Sequence, residues 1–223
     1  MVSHSTETER RRRLPCMAHA AAGAERLVEQ LRPHIRDERV LAAVAAVPRD
    51  LFVPRSLTDA AWANTALPIG SGQTISQPVV VARMCELLEL RGHERVLDVG
   101  AGSGYHAAVL AQLVAEVWSI EREPRLSRRA GEALAAAGIS NVHLVVGDGS
   151  QGYPPAAPYE AINVAAAASG EPPAALEEQL ADGGRLVVPV DGPDQRLMLV
   201  RHTSEGVERE WHEPVRFVPL VEG

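Results

Sequence analysis

The chain has 223 residues, 46% of them apolar and 23% charged, with a formal net charge of −7. That length accommodates one large domain with a well-buried core, or at most two small ones, in a composition ordinary for a soluble globular protein. The acidic total speaks against a nucleic-acid-binding surface, and no apolar run reaches the roughly 18–20 residues that a membrane span needs.

Residues 1–17 are polar and aperiodic and carry the cluster Arg10–Arg13, which reads as a disordered basic tail. Pro15, His19 and Glu25 interrupt the stretch that a secretory leader would keep apolar. Cys16 falls in this tail and Cys85 in an expected helix. No disulfide is therefore expected, and a reducing cytoplasm is the expected compartment. No Cys/His spacing resembles a zinc site, and no metal is expected.

From Ala18 to Leu31 the alanine-rich pattern predicts a helix that Pro33 ends. Asp37 is the expected N-cap of a second helix, with Val40, Leu41, Val44 and Val47 at helical spacing before Pro48. Residues 48–77 hold several prolines and glycines and few periodic apolar positions, so they are expected to be irregular; a loop that long is usually functional. Pro78 suits the first position of a helix running to about Leu90.

Short apolar strands then alternate with amphipathic helices. Strands are expected at Arg95–Val99, Glu116–Glu121, Val142–Val146 and Ala161–Val164. Helices are expected at Gly104–Leu113, Pro124–Ala137 and Pro172–Leu180. A βαβαβ order demands a parallel sheet with helical crossovers. Strands at Arg185–Val190, Gln195–His202 and Val207–Trp211 are separated by turn residues alone, so that end of the sheet should be antiparallel. The expectation is an α/β fold in one domain over residues 18–223. Residues 18–90 would form a helical cap and a substrate and cofactor loop, and residues 91–223 a Rossmann-like core.

The strongest motif is Asp98-Val99-Gly100-Ala101-Gly102-Ser103-Gly104, where a buried strand runs into three alternate glycines and then a helix. Such glycines allow a tight turn and close approach of a ligand to the backbone, and helix N–H groups then face it. The spacing is G-x-G-x-G rather than the dinucleotide G-x-G-x-x-G, which counts against an NAD-dependent oxidoreductase. Glu121 ends the next strand, where a carboxylate can accept hydrogen bonds from both hydroxyls of a ribose. Asp148, between Gly147 and Gly149 at the third strand's end, can reach an adenine amino group, or it can serve a turn alone. Asp98 has two readings: a tie to the glycine loop, or direct contact with the cofactor.

Two further stretches, Val47–Pro54 and Leu67–Pro78, stand beside the glycine loop and Gly147-Asp148-Gly149. With Gly183–Val190 and Pro214–Leu220, they make the chain resemble the protein-L-isoaspartate O-methyltransferases, from about Ala24 to Val221. The resemblance implies a Rossmann-like, seven-stranded, mostly parallel sheet with helices on both faces. It implies S-adenosyl-L-methionine (AdoMet) as methyl donor. The implied acceptor is the α-carboxylate of L-isoaspartyl residues, or the β-carboxylate of D-aspartyl residues, in damaged proteins and peptides. The family's active-site serine falls on Ser76; as an alternative, Ser76 caps the helix at Pro78. Cofactor contacts would come from Gln73, Thr74, Ile75 and Ser76, from Asp98, Gly100, Ala101, Gly102 and Ser103, from Glu121 and Arg122, and from Asp148 and Gly149. A monomer acting on damaged proteins, with no nucleic acid or membrane as partner, is the expectation.

The chain departs from that pattern in places. Asn64 stands where relatives often carry an acid, Ala165 where they often carry a threonine, and His106 where they often carry a glutamine. His106 reads as a helix-surface residue or a cofactor-edge contact. The changes at Asn64 and Ala165 keep open a relative that methylates one dedicated peptide as a tailoring step. A carboxylate acceptor is already ionised near neutral pH, with a reference pKa of about 4, so methyl transfer to it needs positioning rather than a base. The stretch Gln73–Pro78 offers a hydroxyl and backbone donors and no base. Residues 55–78 are expected to form part of the groove for an extended peptide.

Overall fold

The structure is a computed structural model and describes residues 20–223; the tail expected over residues 1–17, with Cys16, lies outside them. Helix α1 covers residues 20–31 and α2 covers Glu38–Ala46, with the Asp37 carboxylate accepting from the Arg39 N–H as its cap. Two short 3₁₀ turns follow, Arg49–Phe52 and Arg55–Ala60. Next come β1 (Leu67–Gly70), β2 (Gln73–Ile75) and α3 (Pro78–Leu87).

The sheet then builds through β3 (Arg95–Val99), α4 (Tyr105–Ala111), β4 (Glu116–Glu121), α5 (Pro124–Ala136) and β5 (Val142–Val146). It is completed by β6 (Tyr159–Val164), α6 (Ala174–Glu177), β7 (Leu180–Val190), β8 (Arg196–Thr203) and β9 (Gly206–Pro214). Seven strands lie in the order β5-β4-β3-β6-β7-β8-β9. Pairings from β5 to β7 are parallel, and those of β7 with β8 and β8 with β9 are antiparallel. The strand order reverses between β3 and β6, and open α/β sheets bind ligands at the carboxyl ends of strands on either side of such a reversal.

Burial explains the strands. Val96, Leu97 and Val99 of β3 are buried, as are Ile162 and Val164 of β6, because helices cover both faces of a parallel sheet. Every residue of α4 is buried, as expected of a helix that is apolar all round. One apolar cluster joins α1, α2 and α3 to α4 and to Val96 and Val117 in the sheet, so the cap and one sheet face share a core.

Three expectations need correction. The stretch 48–77 is not irregular throughout: Leu67 pairs with Ile75 and Pro68 with Thr74 in a hairpin. Its turn, Ser71-Gly72, has positive φ at both positions (52° and 71°), the geometry of a primed two-residue turn. The alternation of buried Leu67 and Ile69 with exposed Pro68 and Gly70 carried the strand signal; the proline and glycine masked it. The helix expected at Pro172–Leu180 shrinks to Ala174–Glu177, because Leu180 pairs with Tyr159 and starts β7. Helix α3 ends at Leu87, short of Leu90, because Glu89 takes a left-handed turn (φ 48°) that sends the chain toward β3.

Candidate active site

A cavity of about 930 Å³ opens at the carboxyl ends of β3, β4 and β6, at the large end of the range for small-molecule sites. Gln73, Thr74, Ile75 and Ser76 line it, as do Gly100, Ala101, Gly102 and Ser103 of the glycine loop, Glu121, Arg122 and Gly149. Ala165 and Ala166 form an apolar stretch of wall, and Pro214–Val221 lines the cavity as well. Thr65 and Ala66 also line it, so part of the stretch expected to form a groove reaches the site while residues 55–60 do not.

Glu121 is the anchor of the glycine loop. Its carboxylate accepts the Gly102 N–H at 2.8 Å and the Glu123 N–H at 2.9 Å, one on each oxygen. Each oxygen keeps a second lone pair for another donor. The N–H groups of Gly100 and Ala101 both donate to the Ile120 carbonyl, at 2.9 and 3.0 Å. The loop is thus fastened to the end of β4 before any ligand arrives. Glu121 is only 7% exposed, so it is no solvated surface acid.

Asp98 and Asp148 do not line the cavity. Asp98 is fully buried in the sheet, where its carboxylate accepts from the Ser119 hydroxyl and from Asn163 Nδ2, both at 2.7 Å, and not from the glycine loop. Burial pushes its pKa up to about 6, against the opposing pull of those two bonds. Asp148 serves its turn: Oδ1 accepts the Ser150 N–H at 2.9 Å and the Ser150 hydroxyl at 2.8 Å. Oδ2 accepts the Gly223 N–H at 3.0 Å. Burial alone would raise the Asp148 pKa, but the bonds from Ser150 and Gly223 hold it below the usual carboxylate value.

The segment Pro214–Val221 is tied down nearby. Arg122 donates to the Val221 carbonyl at 3.1 Å, Leu220 N–H to the Ala167 carbonyl at 2.7 Å, and Ala167 N–H to the Val218 carbonyl at 2.8 Å. Its role is not legible from spacing, since Pro214–Leu220 has no helical or strand period.

His106 is neither on the helix surface nor free to act as a base. Its ring reaches the cavity wall, but Nδ1 lies 3.2 Å from Asn163 Nδ2 and Nε2 lies 3.6 Å from Cys85 Sγ. Asn163 spends its two amide protons on Asp98 and His106, which puts the imidazole proton on Nε2, toward the sulfur. Burial drives the His106 pKa down to about 3 and pushes the Cys85 thiol well up, so both are neutral near pH 7.

A stability prediction follows from this depressed histidine. A histidine whose folded pKa lies below its unfolded value of about 6.5 contributes stability that is complete above that pH and is lost as pH falls toward the folded value. The loss approaches ~1.4 kcal/mol per pH unit. His106→Gln removes it, so between pH 7 and pH 5 the variant should gain about 2 kcal/mol on the unsubstituted chain. Urea unfolding at the two pH values measures this; identical pH dependence would contradict it.

Ser76 lines the cavity, and its hydroxyl has no hydrogen-bond partner among the described residues. It does not cap α3. Gln77 occupies the cap position without a side-chain bond to the helix N–H groups, and the Val79 N–H is taken by Asn64 Oδ1 at 3.0 Å. The amide at Asn64 therefore faces the α3 terminus, not the cavity. Arg49 also escaped the sequence reading, since one arginine beside Pro48 carries no spacing signal. It is wholly buried and donates to the carbonyls of Ala61, Thr65 and Ser76. No metal-binding cluster of His, Cys, Asp or Glu occurs among the described residues.

Comparison with known proteins fits this site to a family. The sequence profile described as protein-L-isoaspartate(D-aspartate) O-methyltransferase matches residues 22–223. A protein-L-isoaspartate O-methyltransferase of Methanoculleus marisnigri is 55% identical over 201 residues, 88% of this chain and 90% of that one. Protein-L-isoaspartate O-methyltransferase 1 of Rhodopseudomonas palustris is 53% identical over 208 residues, 90% of this chain and 84% of that one. A solved structure named protein-L-isoaspartate O-methyltransferase superposes with a TM-score of 0.80 at 28% identity, covering 90% of this chain and 66% of that longer one. By sequence, sheet order and cavity, the chain belongs to the protein-L-isoaspartate(D-aspartate) O-methyltransferase family.

Proposed function

We propose that this chain transfers a methyl group from AdoMet to the α-carboxylate of L-isoaspartyl residues, and to the β-carboxylate of D-aspartyl residues, in damaged proteins and peptides. One observation carries the reading beyond family membership. The glycine loop, Glu121 and the Ser76 hydroxyl, which has no hydrogen-bond partner among the described residues, line one and the same cavity. When bound, AdoMet supplies an electrophilic methyl on its sulfonium.

The residues present suit that donor. Glu121 has a free lone pair on each oxygen for the ribose hydroxyls, and Gly102 leaves the backbone open to close approach. Gln73, Thr74, Ile75, Gly100, Ala101, Ser103, Arg122 and Gly149 complete the wall. Asp98 holds β3 to β4 and β6 from beneath, and Asp148 borders the site through its turn.

In the same cavity, the Ser76 hydroxyl is free to donate a hydrogen bond to the acceptor carboxylate and fix its approach. No base is required, because the carboxylate is already the nucleophile. His106, the imidazole nearest the cavity, is neutral and committed to Asn163 and Cys85, so it removes no proton. The segment Pro214–Val221 lines the same cavity, where it would limit water at the reacting atoms. The methyl ester then cyclises without the enzyme: the neighbouring amide nitrogen expels methanol to give a succinimide, and water reopens it, partly to normal aspartate.

The test is transfer of labelled methyl from AdoMet to an isoaspartyl peptide and to its aspartyl twin. Labelling of the isoaspartyl form alone, across unrelated sequences, is expected. Labelling of one dedicated sequence only would replace repair with tailoring, and no labelling of any would end the proposal. Ser76→Ala should lower turnover by about 10-fold or more, the worth of one hydrogen bond to a charged group, with AdoMet affinity nearly unchanged by calorimetry. Wild-type turnover in that variant would remove Ser76 from the acceptor site. The same reading has the chain working as a cytoplasmic monomer; sedimentation tests the oligomeric state, and fractionation the compartment. Among the described residues no helix is long and apolar enough to cross a membrane.

A further inference from the structure

A buried guanidinium needs a reason. Arg49 is 0% exposed, and no carboxylate pairs with it among the described residues. Burial lowers its pKa, and the Tyr105 ring lies 5.4 Å below its guanidinium carbon. Isolated buried charges are costly unless hydrogen bonds absorb them. Here backbone carbonyls take Nη1 and Nη2, while Nε is buried with no hydrogen-bond partner among the described residues. Nη1 donates to the Ala61 carbonyl, and Nη2 donates to both Thr65, at 3.0 Å, and Ser76, at 3.1 Å.

The choice of carbonyls matters. Thr65 and Ser76 both line the cavity, yet they belong to different segments, one before β1 and one after β2. Because a single nitrogen holds both, neither carbonyl can drift by more than a few tenths of an ångström without losing its bond. A second tie fastens the same segment. Asn64 Oδ1 accepts the Val79 N–H at 3.0 Å, and Gln77 Nε2 donates to the Asn64 carbonyl at 3.1 Å. The stretch from Ala61 to Thr65 is thereby clamped to the turn that presents the Ser76 hydroxyl.

We propose that Arg49 is a positioning residue for the methyl acceptor, fixing the spacing between Thr65 and Ser76 with Asn64 as its second tie. The proposal rests on the reading that the acceptor carboxylate binds at Ser76. Arg49 does not itself line the cavity, and its two terminal nitrogens are committed to the three carbonyls. It can therefore order the wall without pairing directly with the substrate carboxylate, a pairing that would blunt its nucleophilicity. Lysine, a point charge without the planar fork, cannot span the same acceptors.

The test compares Arg49→Lys and Asn64→Ala with the unsubstituted enzyme. Peptide kcat/KM is measured with an isoaspartyl peptide, and affinity for S-adenosyl-L-homocysteine by calorimetry. Arg49→Lys should lower kcat/KM for the peptide by about 10²-fold, the scale of a small misplacement of reacting groups. Asn64→Ala, a partly exposed position, should lower it by about 3- to 10-fold, as one hydrogen bond would. In both, nucleoside affinity should stay within about 3-fold of the starting value, since Glu121 and the glycine loop are untouched. A merely structural role would weaken both ligands in parallel, and that result overturns the proposal. So does a folded Arg49→Lys enzyme with unchanged peptide kinetics. If Arg49→Lys does not fold, Asn64→Ala decides alone: selective loss on the peptide side supports the clamp, and wild-type kinetics overturns it. An unsubstituted enzyme that labels no isoaspartyl peptide would defeat the functional reading itself, an outcome separate from these.

Discussion

Gly102→Val is expected to abolish AdoMet binding while leaving the fold standing. Gly102 has φ +54°, a region that costs an L residue roughly 1–2 kcal/mol and a β-branched one more. A Cβ at this position would lie 3.5 Å from Ile69 Cδ1, and the two γ-methyls beyond it would extend into space the loop keeps open. Escape from that conformation would pull the Gly102 N–H away from Glu121, where it is held at 2.8 Å. Strain and blockage thus act on the same atoms. Calorimetric titration with AdoMet should show no binding, with a melting temperature only a few degrees lower. An affinity close to that of the unsubstituted chain would mean that the nucleoside does not lie along this loop.

Glu121→Ala should be the next most damaging change for the cofactor. It removes the acceptor of two backbone N–H groups, from Gly102 and Glu123, and the two lone pairs assigned to the ribose. A hydrogen bond to a charged group contributes about 1.5–3 kcal/mol, and each 1.4 kcal/mol is about tenfold in affinity. The loss should therefore be about 10²-fold or greater. Glu121→Gln keeps one carbonyl oxygen and should lose less. An AdoMet analogue without ribose hydroxyls separates the two contributions: the difference in affinity that it retains between the unsubstituted and Glu121→Ala chains is the share of the loop, and the remainder is that of the ribose. An undiminished difference would assign the effect to the loop alone.

The sheet was legible because its strands obey one rule. The bounds expected for β3, β4 and β5 coincide with those found. A strand covered by helices shows as a short apolar run; of the crossover helices between them, α5 is amphipathic, and α4, apolar all round, is announced by the glycine loop before it. Where local pattern and tertiary pairing disagreed, the pairing won. Leu180 looked like the end of a helix but joins Tyr159 across the sheet. The hairpin of β1 and β2 was hidden by residues that suit its turn and not its strands.

Within the site, the glycine loop and Glu121 could be read because strand-end position implies direction. Asp98 could not be, since its neighbours Ser119 and Asn163 lie 21 and 65 positions away and only the assembled sheet brings them together. Arg49 and Asn64 were opaque for the same reason. Their partners are backbone carbonyls and one backbone N–H, and backbone groups leave no trace in a list of side chains.

Asp98, Asn163 and His106 form one buried hydrogen-bonded chain. In the folded protein the carboxyl at one end holds its proton up to about pH 6, and the imidazole at the other refuses one until about pH 3. In the unfolded chain the order is reversed, with ordinary values of about 3.9 and 6.5. Between those limits each state carries one proton, on histidine when unfolded and on aspartate when folded. Folding therefore relocates a proton without gaining or losing one. Across roughly pH 4 to 6 these two residues together add no slope to stability, although each alone would add a steep one. The core beneath the cofactor cavity is in this sense proton-neutral over the range in which its two titrating members are most perturbed.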